Sequence, residues 1–218
     1  MKAALRELDG LAGYQAPRYA PGLRTTHALL EAGRRLLRQV SLDQLTINDL
    51  CARADVTTGA FYTRFDSKDV FFNALQALVQ IELRNTTALR MAQFDARSWE
   101  LREMIEVIAR HLRLWAYRHE GVLRASIIQR AREGDDPVKR LNIAYVEQAT
   151  PRLARLHPGG ATPEVEQRIL FAFQMMLGTL VYALVNHGGI LPLTDRRTER
   201  EMARAFYRYI TDEMADAD

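Results

Sequence analysis

The sequence predicts an all-α protein, with short helices first and long ones after, and three observations carry that expectation. Apolar residues recur at three- and four-residue spacing through most of the chain, and no alternating run reads as a strand. Glycine and proline interrupt the pattern at Ala20-Pro21-Gly22, Gly134, Pro137, Pro158-Gly159-Gly160, Pro163 and Gly188-Gly189. Thr46, Thr57 and Ser67 each precede a helical pattern, the place where a side-chain oxygen caps the first free N–H groups.

In chain order, residues 1–22 read as a flexible arm, and a first helix follows with Thr25 or Thr26 as its cap. Leu29, Ala32, Leu36, Leu37 and Val40 form that helix's apolar face. Three short helices are expected near 47–54, 58–64 and from 68 onward. Longer ones are expected near 71–92, 98–118, 122–132, 138–156, 163–186 and 196–214. The implied division is an arm (1–22), a helix-turn-helix domain (23–70) and a helical domain (71–218).

Composition narrows the class. A single cysteine, Cys51, excludes an internal disulfide and fits a reducing cytoplasm. The start, MKAALRELDG, is charged where a secretory signal needs an apolar run. The longest apolar stretch, Ile169 to Val185, is broken by Gln174, Gly178 and Thr179, so it reads as a buried helix rather than a membrane span. The net charge of +3 does not by itself select nucleic acid as a partner.

The informative segment is Thr46 to Val70, TINDLCARADVTTGAFYTRFDSKDV. Asp55 stands at a tight corner between two short helices, and Asp tolerates a left-handed backbone. Ile47, Leu50, Cys51 and Ala54 are placed to meet Val56, Phe61 and Phe65, locking a helix-turn-helix. Outward lie Thr57, Thr58, Gly59, Ala60, Tyr62, Thr63 and Arg64, a set that suits a DNA groove. Small side chains let a helix sit deep, threonine and arginine can meet base edges, and Tyr62 and Lys68 can hold phosphates.

This segment resembles the TetR family of regulators over residues 24–72. The matching pattern is a helix, an Ala-x-x-Ala-x-Val turn, a Gly-x-x-Tyr helix and a Phe-x-Ser-Lys start to the next. It is carried here by Ala52, Arg53, Asp55, Val56, Gly59, Tyr62, Phe65, Ser67 and Lys68. The resemblance implies that Thr46, Tyr62 and Lys68 grip the DNA backbone while Thr57, Thr58, Gly59 and Ala60 approach bases. Two positions depart from the pattern: Asp55 stands where the family often has glycine, and Arg64 where it commonly has histidine or tyrosine.

The same resemblance implies a cytoplasmic homodimer on double-stranded operator DNA, formed through the last two long helices, with no membrane partner. In the first of those helices Leu170, Phe173, Gln174, Leu177, Gly178, Val181 and Leu184 line one sector. In the second, Ala203, Phe206, Tyr207 and Ile210 make an apolar stripe. A glycine inside a helix is unfavourable by about 0.8–1 kcal/mol relative to alanine, so Gly178 asks for a close neighbour, within the chain or beyond it. By the family analogy a largely apolar small-molecule effector enters among the middle helices and releases the DNA, which makes the chain a repressor. Candidate lining residues are Met104, Ile108, His111, Trp115, Ile127, Tyr145, Phe173 and Met176, with Gln129 or Gln148 as further polar contacts. Each of these also suits ordinary core.

Other chemistry is not supported. His111 and His119 are too far apart for two metal ligands on adjacent turns, and no His/Cys cluster has a zinc spacing. His187-Gly188-Gly189 lacks a Gly-x-Ser-x-Gly partner and reads as a helix stop. No cofactor and no enzymatic activity are expected. The alternative to a regulator is a helical scaffolding protein whose head no longer serves DNA.

Overall fold

The computed structural model describes residues 5–133, 137–186 and 189–212. His187, Gly188 and Gly134 of the expected helix stops, and the first four residues of the expected arm, lie outside the described residues. The chain forms α1 (Ala20–Leu36), α2 (Ile47–Ala54), α3 (Thr58–Tyr62), α4 (Lys68–Asp95) and α5 (Leu101–Arg118). It continues with α6 (Glu120–Glu133), α7 (Pro137–Leu156), α8 (Pro163–Val185) and α9 (Arg196–Thr211). Among the described residues there is no strand, only one isolated antiparallel bridge between Tyr14 and Phe65.

Three of the caps stand as the sequence places them. Thr46 accepts from the Asp49 N–H at 3.1 Å, Thr57 from Ala60 at 3.2 Å and Ser67 from Val70 at 3.2 Å. The start of α1 differs. It begins at Ala20, with Pro21 in the first turn, and Thr26 is fully buried rather than a cap. The fixed φ of proline suits the first helical turn, so Pro21 marks a beginning where the sequence suggested a stop.

Two compact units emerge, residues 1–85 with 119–137, and residues 86–118 with 138–218. The sequence boundary at 71 does not anticipate this division, because α6 packs with the N-terminal helices. In the first unit α6 meets α1: a Cβ at Gly121 would run into the Leu37 backbone and stand 2.6 Å from the Arg38 nitrogen. Arg124 Nη2 donates to the carbonyl oxygens of Leu37 (2.8 Å) and Arg38 (3.3 Å), capping the free end of α1.

From residue 5 on, the segment expected to be a flexible arm is packed. Leu5, Leu8 and Tyr14 are buried, and Tyr14 stacks on Phe65 with centroids 5.4 Å apart. The Gln15 N–H donates to the Arg64 carbonyl (2.8 Å) and the Asp66 N–H to the Gly13 carbonyl (3.1 Å). Gly13 takes φ +76° and lies so close to Val70 that a Cβ would be 2.8 Å from Val70 Cγ2. Three apolar side chains in this short stretch outweigh its charge, and burying them ties it down.

In the second unit α9 packs on α5 and α8. Met202, Ala203, Phe206 and Ile210 are buried there, and the Phe206 ring stands edge-on to Phe173 at 5.0 Å. Arg113 is also buried, with Nε 2.7 Å from Glu199 Oε2 and Nη1 donating to the Leu193 carbonyl at 2.7 Å. A guanidinium so enclosed needs such partners, since burying it unpaired costs several kcal/mol by general estimates, about 3–5 when one partner is removed.

Candidate nucleic-acid interface

The head of the first unit is assembled by aromatic packing behind α3. Phe61, Phe65 and Phe71 are fully buried with ring centroids 5.2–5.7 Å apart. Gly33 on α1 makes room for them: a Cβ there would be 2.5 Å from Phe71 Cζ. Leu50 and Cys51 bury the inner side of α2, whereas Ile47, Ala54 and Val56 are half-buried. Asp55 takes the left-handed conformation, φ 55° and ψ 50°, at the corner between α2 and α3. The Cys51 thiol donates to the Thr57 carbonyl at 3.6 Å, and burial pushes its pKa up. It therefore joins the two helices as a small packed side chain rather than a reactive one.

What α3 turns outward is uncharged and, apart from Tyr62, small. Thr57, Thr58, Gly59, Tyr62 and Thr63 are exposed, and Ala60 is half-buried. Thr46, at the start of α2, is exposed as well. The nearest atom to a Cβ at Gly59 would be Thr57 Oγ1 at 3.8 Å, an ordinary contact. Nothing within the chain therefore requires a glycine on this helix, although it weakens the helix relative to alanine. Tyr62, 56% exposed, stands beside it with its ring edge-on to Phe61 at 5.4 Å. Thr63 Oγ1 donates to the Gly59 carbonyl at 2.8 Å, so its hydroxyl proton is already engaged.

Two residues sit differently from the sequence expectation. The Arg64 guanidinium lies over Gly22 at the start of α1, where a Cβ would be 3.2 Å from Cζ, and its backbone carbonyl holds Gln15. Lys68 Nζ donates to the carbonyls of Leu42 (3.0 Å), Asp43 (3.4 Å) and Leu45 (3.1 Å). All three protons of its ammonium have an acceptor in the α1–α2 connection. A Lys68→Met variant is therefore expected to lose about 1–3 kcal/mol of stability, as for hydrogen bonds to a charged group. Its DNA binding is expected to keep its salt dependence, whereas a residue gripping a phosphate would lower the slope of log K against log salt by about one.

The effector candidates divide between the units. Ile127 belongs to α6 in the first unit and is half-buried. Met104, Ile108, Tyr145, Phe173 and Met176 are buried in the second unit, and His111 and Trp115 are half-buried there. Their rings connect: His111 stacks on Tyr145, and Tyr145 stands edge-on to Phe173, each pair 6.3 Å between centroids. Two open clefts on this unit lie elsewhere. One of about 430 Å³ is lined by charged residues of α5 and α9, including Arg102, Glu106, Arg200 and Arg204. The other, about 480 Å³, runs past Phe94, Trp99 and Arg152 and includes Met104 from the candidate set.

Burial, reinforced by the Arg90 charge, lowers the His111 pKa to about 4. The unfolded chain takes up a proton near the ordinary value of 6.5, while the folded chain resists it until about 4. Stability is therefore expected to fall as pH drops through that window, by roughly 2–3 kcal/mol in all. Denaturant unfolding at pH 7 and pH 4.5 checks this, and a His111→Phe variant is expected to lose that part of the pH dependence.

Among the described residues no group of three or more His, Cys, Asp or Glu is placed to hold a metal ion. Residues 29–75 match the family model described as bacterial regulatory proteins, tetR family. No protein of curated function matches the chain. The fold is similar to the crystal structure, at 1.54 Å, of a protein assigned to the TetR family of transcriptional regulators from Mesorhizobium loti MAFF303099. That similarity has a TM-score of 0.56 and 11% identity, covering 88% of this chain and 98% of that one. A TetR transcriptional regulator from Rhodococcus sp. RHA1 matches with a TM-score of 0.48 and 15% identity, over 89% of this chain and 99% of that one. Residues 29–75 thus carry a domain similar to that of the bacterial tetR-family regulatory proteins, built here as a helix-turn-helix within a fold similar to that of the Mesorhizobium loti protein.

Proposed function

We propose that this chain is a homodimeric repressor that reads a pseudo-palindromic operator and leaves it when a small effector binds. The observation that carries the DNA-reading part is Gly59. An exposed helical glycine with no close neighbour, its Cβ position meeting only Thr57 Oγ1 at 3.8 Å, fits a helix whose backbone must approach a surface outside the chain. In this reading Thr57, Thr58, Gly59 and Ala60 enter the major groove, and Thr46, Tyr62 and Thr63 face the flanking phosphates. Arg64 and Lys68 hold the head together behind them.

The outer face of α8 supports the dimer. Leu170, Phe171, Met175, Val181, Tyr182 and Val185 are 37–55% exposed, although its inner residues Ile169, Phe173, Met176, Leu180 and Leu184 are buried. This corrects the expectation of a simply buried helix: only one face is covered, and by length and composition α8 is apolar enough to cross a bilayer. Gly178 lies on the uncovered side with nothing within 4 Å of its Cβ position, which removes a packing need within the chain. A facing copy of α8 accounts for both features. The apolar stripe of α9 is already buried against α5 and α8, so α8 supplies most of the interface in this reading.

The effector site is assigned to the second unit, around His111, Tyr145 and Phe173. The chain passes from that unit into the first between Arg118 and His119, and α6 then fastens to α1 through Gly121 and Arg124. An effector that binds the non-DNA conformation tenfold better shifts the equilibrium by about 1.4 kcal/mol.

Anisotropy titration of a labelled mixed-sequence duplex tests the DNA reading. The expected result is binding at 50 mM salt by two chains, with log K falling linearly as log salt rises. No binding, or binding indifferent to salt, contradicts it and favours a scaffolding protein.

A further inference from the structure

The second unit holds polar side chains that its own fold leaves unused. The His111 ring on α5 lies nearly parallel to Tyr145 on α7, with centroids 6.3 Å apart and planes at 19°. Tyr145 is 2% exposed, and among the described residues its hydroxyl has no hydrogen-bond partner. His111 Nε2 and Arg90 Nε are also buried without a partner. Buried polar atoms are ordinarily satisfied, and three orphans in this one unit, two of them on rings that face each other, point to a ligand that completes them.

The chemistry of the three groups is complementary. Burial raises the Tyr145 pKa, partly offset by the Arg90 charge, so the hydroxyl remains a donor. His111 stays neutral at working pH, with its pKa at about 4, and offers one ring N–H. Arg90 donates one N–H to Gln93 Oε1 at 2.9 Å, and no carboxylate among the described residues pairs with it. Its charge acts on both rings, lowering the pKa of each. One positive charge with hydrogen-bond donors beside it, backed by Phe173 and Met176, suits a single anionic acceptor on an apolar body.

We propose that the effector is a carboxylic acid with an apolar body, its carboxylate received by Arg90, Tyr145 and His111. This rests on the effector reading above and sharpens its largely apolar ligand to one with an acidic end. A neutral isostere leaves the Arg90 charge uncompensated, so acids are distinguished from amides of the same shape.

Calorimetry on the full chain tests this, with octanoate and phenylacetate each set against its amide. Each acid is expected to bind at least tenfold more tightly than its amide. Arg90→Met is expected to erase that preference. Tyr145→Phe is expected to weaken acid binding about tenfold while leaving the unfolding temperature of the ligand-free protein unchanged or raised, since it removes an unpaired hydroxyl. Amides binding as well as acids, or no heat from either acid, overturns the proposal. A fall of more than about 5 °C in unfolding temperature for Tyr145→Phe does the same, because the hydroxyl then already has a structural partner. The two readings fail separately. An acid that binds as described but leaves operator affinity unchanged removes the effector role and keeps the acid site. An amide that binds equally well and releases the operator does the reverse.

Discussion

A Gly59→Leu variant is expected to lose operator affinity by a hundredfold or more while unfolding at the same temperature as the parent, or slightly higher. The two halves of that expectation have separate causes. Within the chain there is room, since a Cβ at this position meets only Thr57 Oγ1 at 3.8 Å. Replacing glycine by a good helix former on an exposed face gains up to about 1 kcal/mol. Outside the chain there is no room if α3 lies in a groove, because the leucine side chain then stands between backbone and bases. A hundredfold loss corresponds to about 2.7 kcal/mol. Filter binding and thermal denaturation on the same preparation separate the effects. Unchanged affinity would show that the Gly59 face does not meet DNA.

A double substitution on the outer face of α8, Phe171→Arg with Val181→Arg, is expected to convert the protein to a monomer at micromolar concentration. These side chains are 46% and 41% exposed in the single chain, so guanidinium groups there reach water and the fold survives. Against a second copy the same groups would be buried without partners, at a cost of several kcal/mol each. Operator affinity is expected to fall with the dimer, because a single head reads only one half-site. Sedimentation velocity distinguishes the cases. A variant that remains dimeric places the interface elsewhere, and a monomeric parent removes the dimer from the proposal.

The head was readable in the sequence where its determinants are short-range. Thr46, Thr57 and Ser67 cap helices through oxygens that reach only three residues along, and Asp55 turns a corner by its own backbone tolerance. Features fixed by distant partners were not readable. Gly13 and Gln15 pair with Asp66 and Arg64 about fifty residues away, and the short apolar set Leu5, Leu8 and Tyr14 gives no helical or alternating period to announce it. Lys68 looks like a solvent-facing cation until the loop carbonyls at 42–45 are seen around it. The assignment of α6 to the first unit depends on a glycine and an arginine meeting the end of α1, more than eighty residues earlier.

In the second unit, periodicity marked the helices but not their roles. The rings of His111, Tyr145 and Phe173 fall on three different helices, and only their contacts reveal a shared cluster. For α9 the pattern gave an apolar stripe, which the family resemblance assigned to the dimer interface. The structure uses that stripe on α5 and α8.

Whether two helix-turn-helix heads of this chain read DNA together is decided by selection from a random duplex library with the purified protein. An enriched pseudo-palindrome is expected, with half-sites about one helical turn apart, roughly 34–36 Å between centres, and the enrichment is expected to be lost in Gly59→Leu. A retained pool with no common sequence at moderate salt would contradict paired DNA reading and favour the scaffolding function.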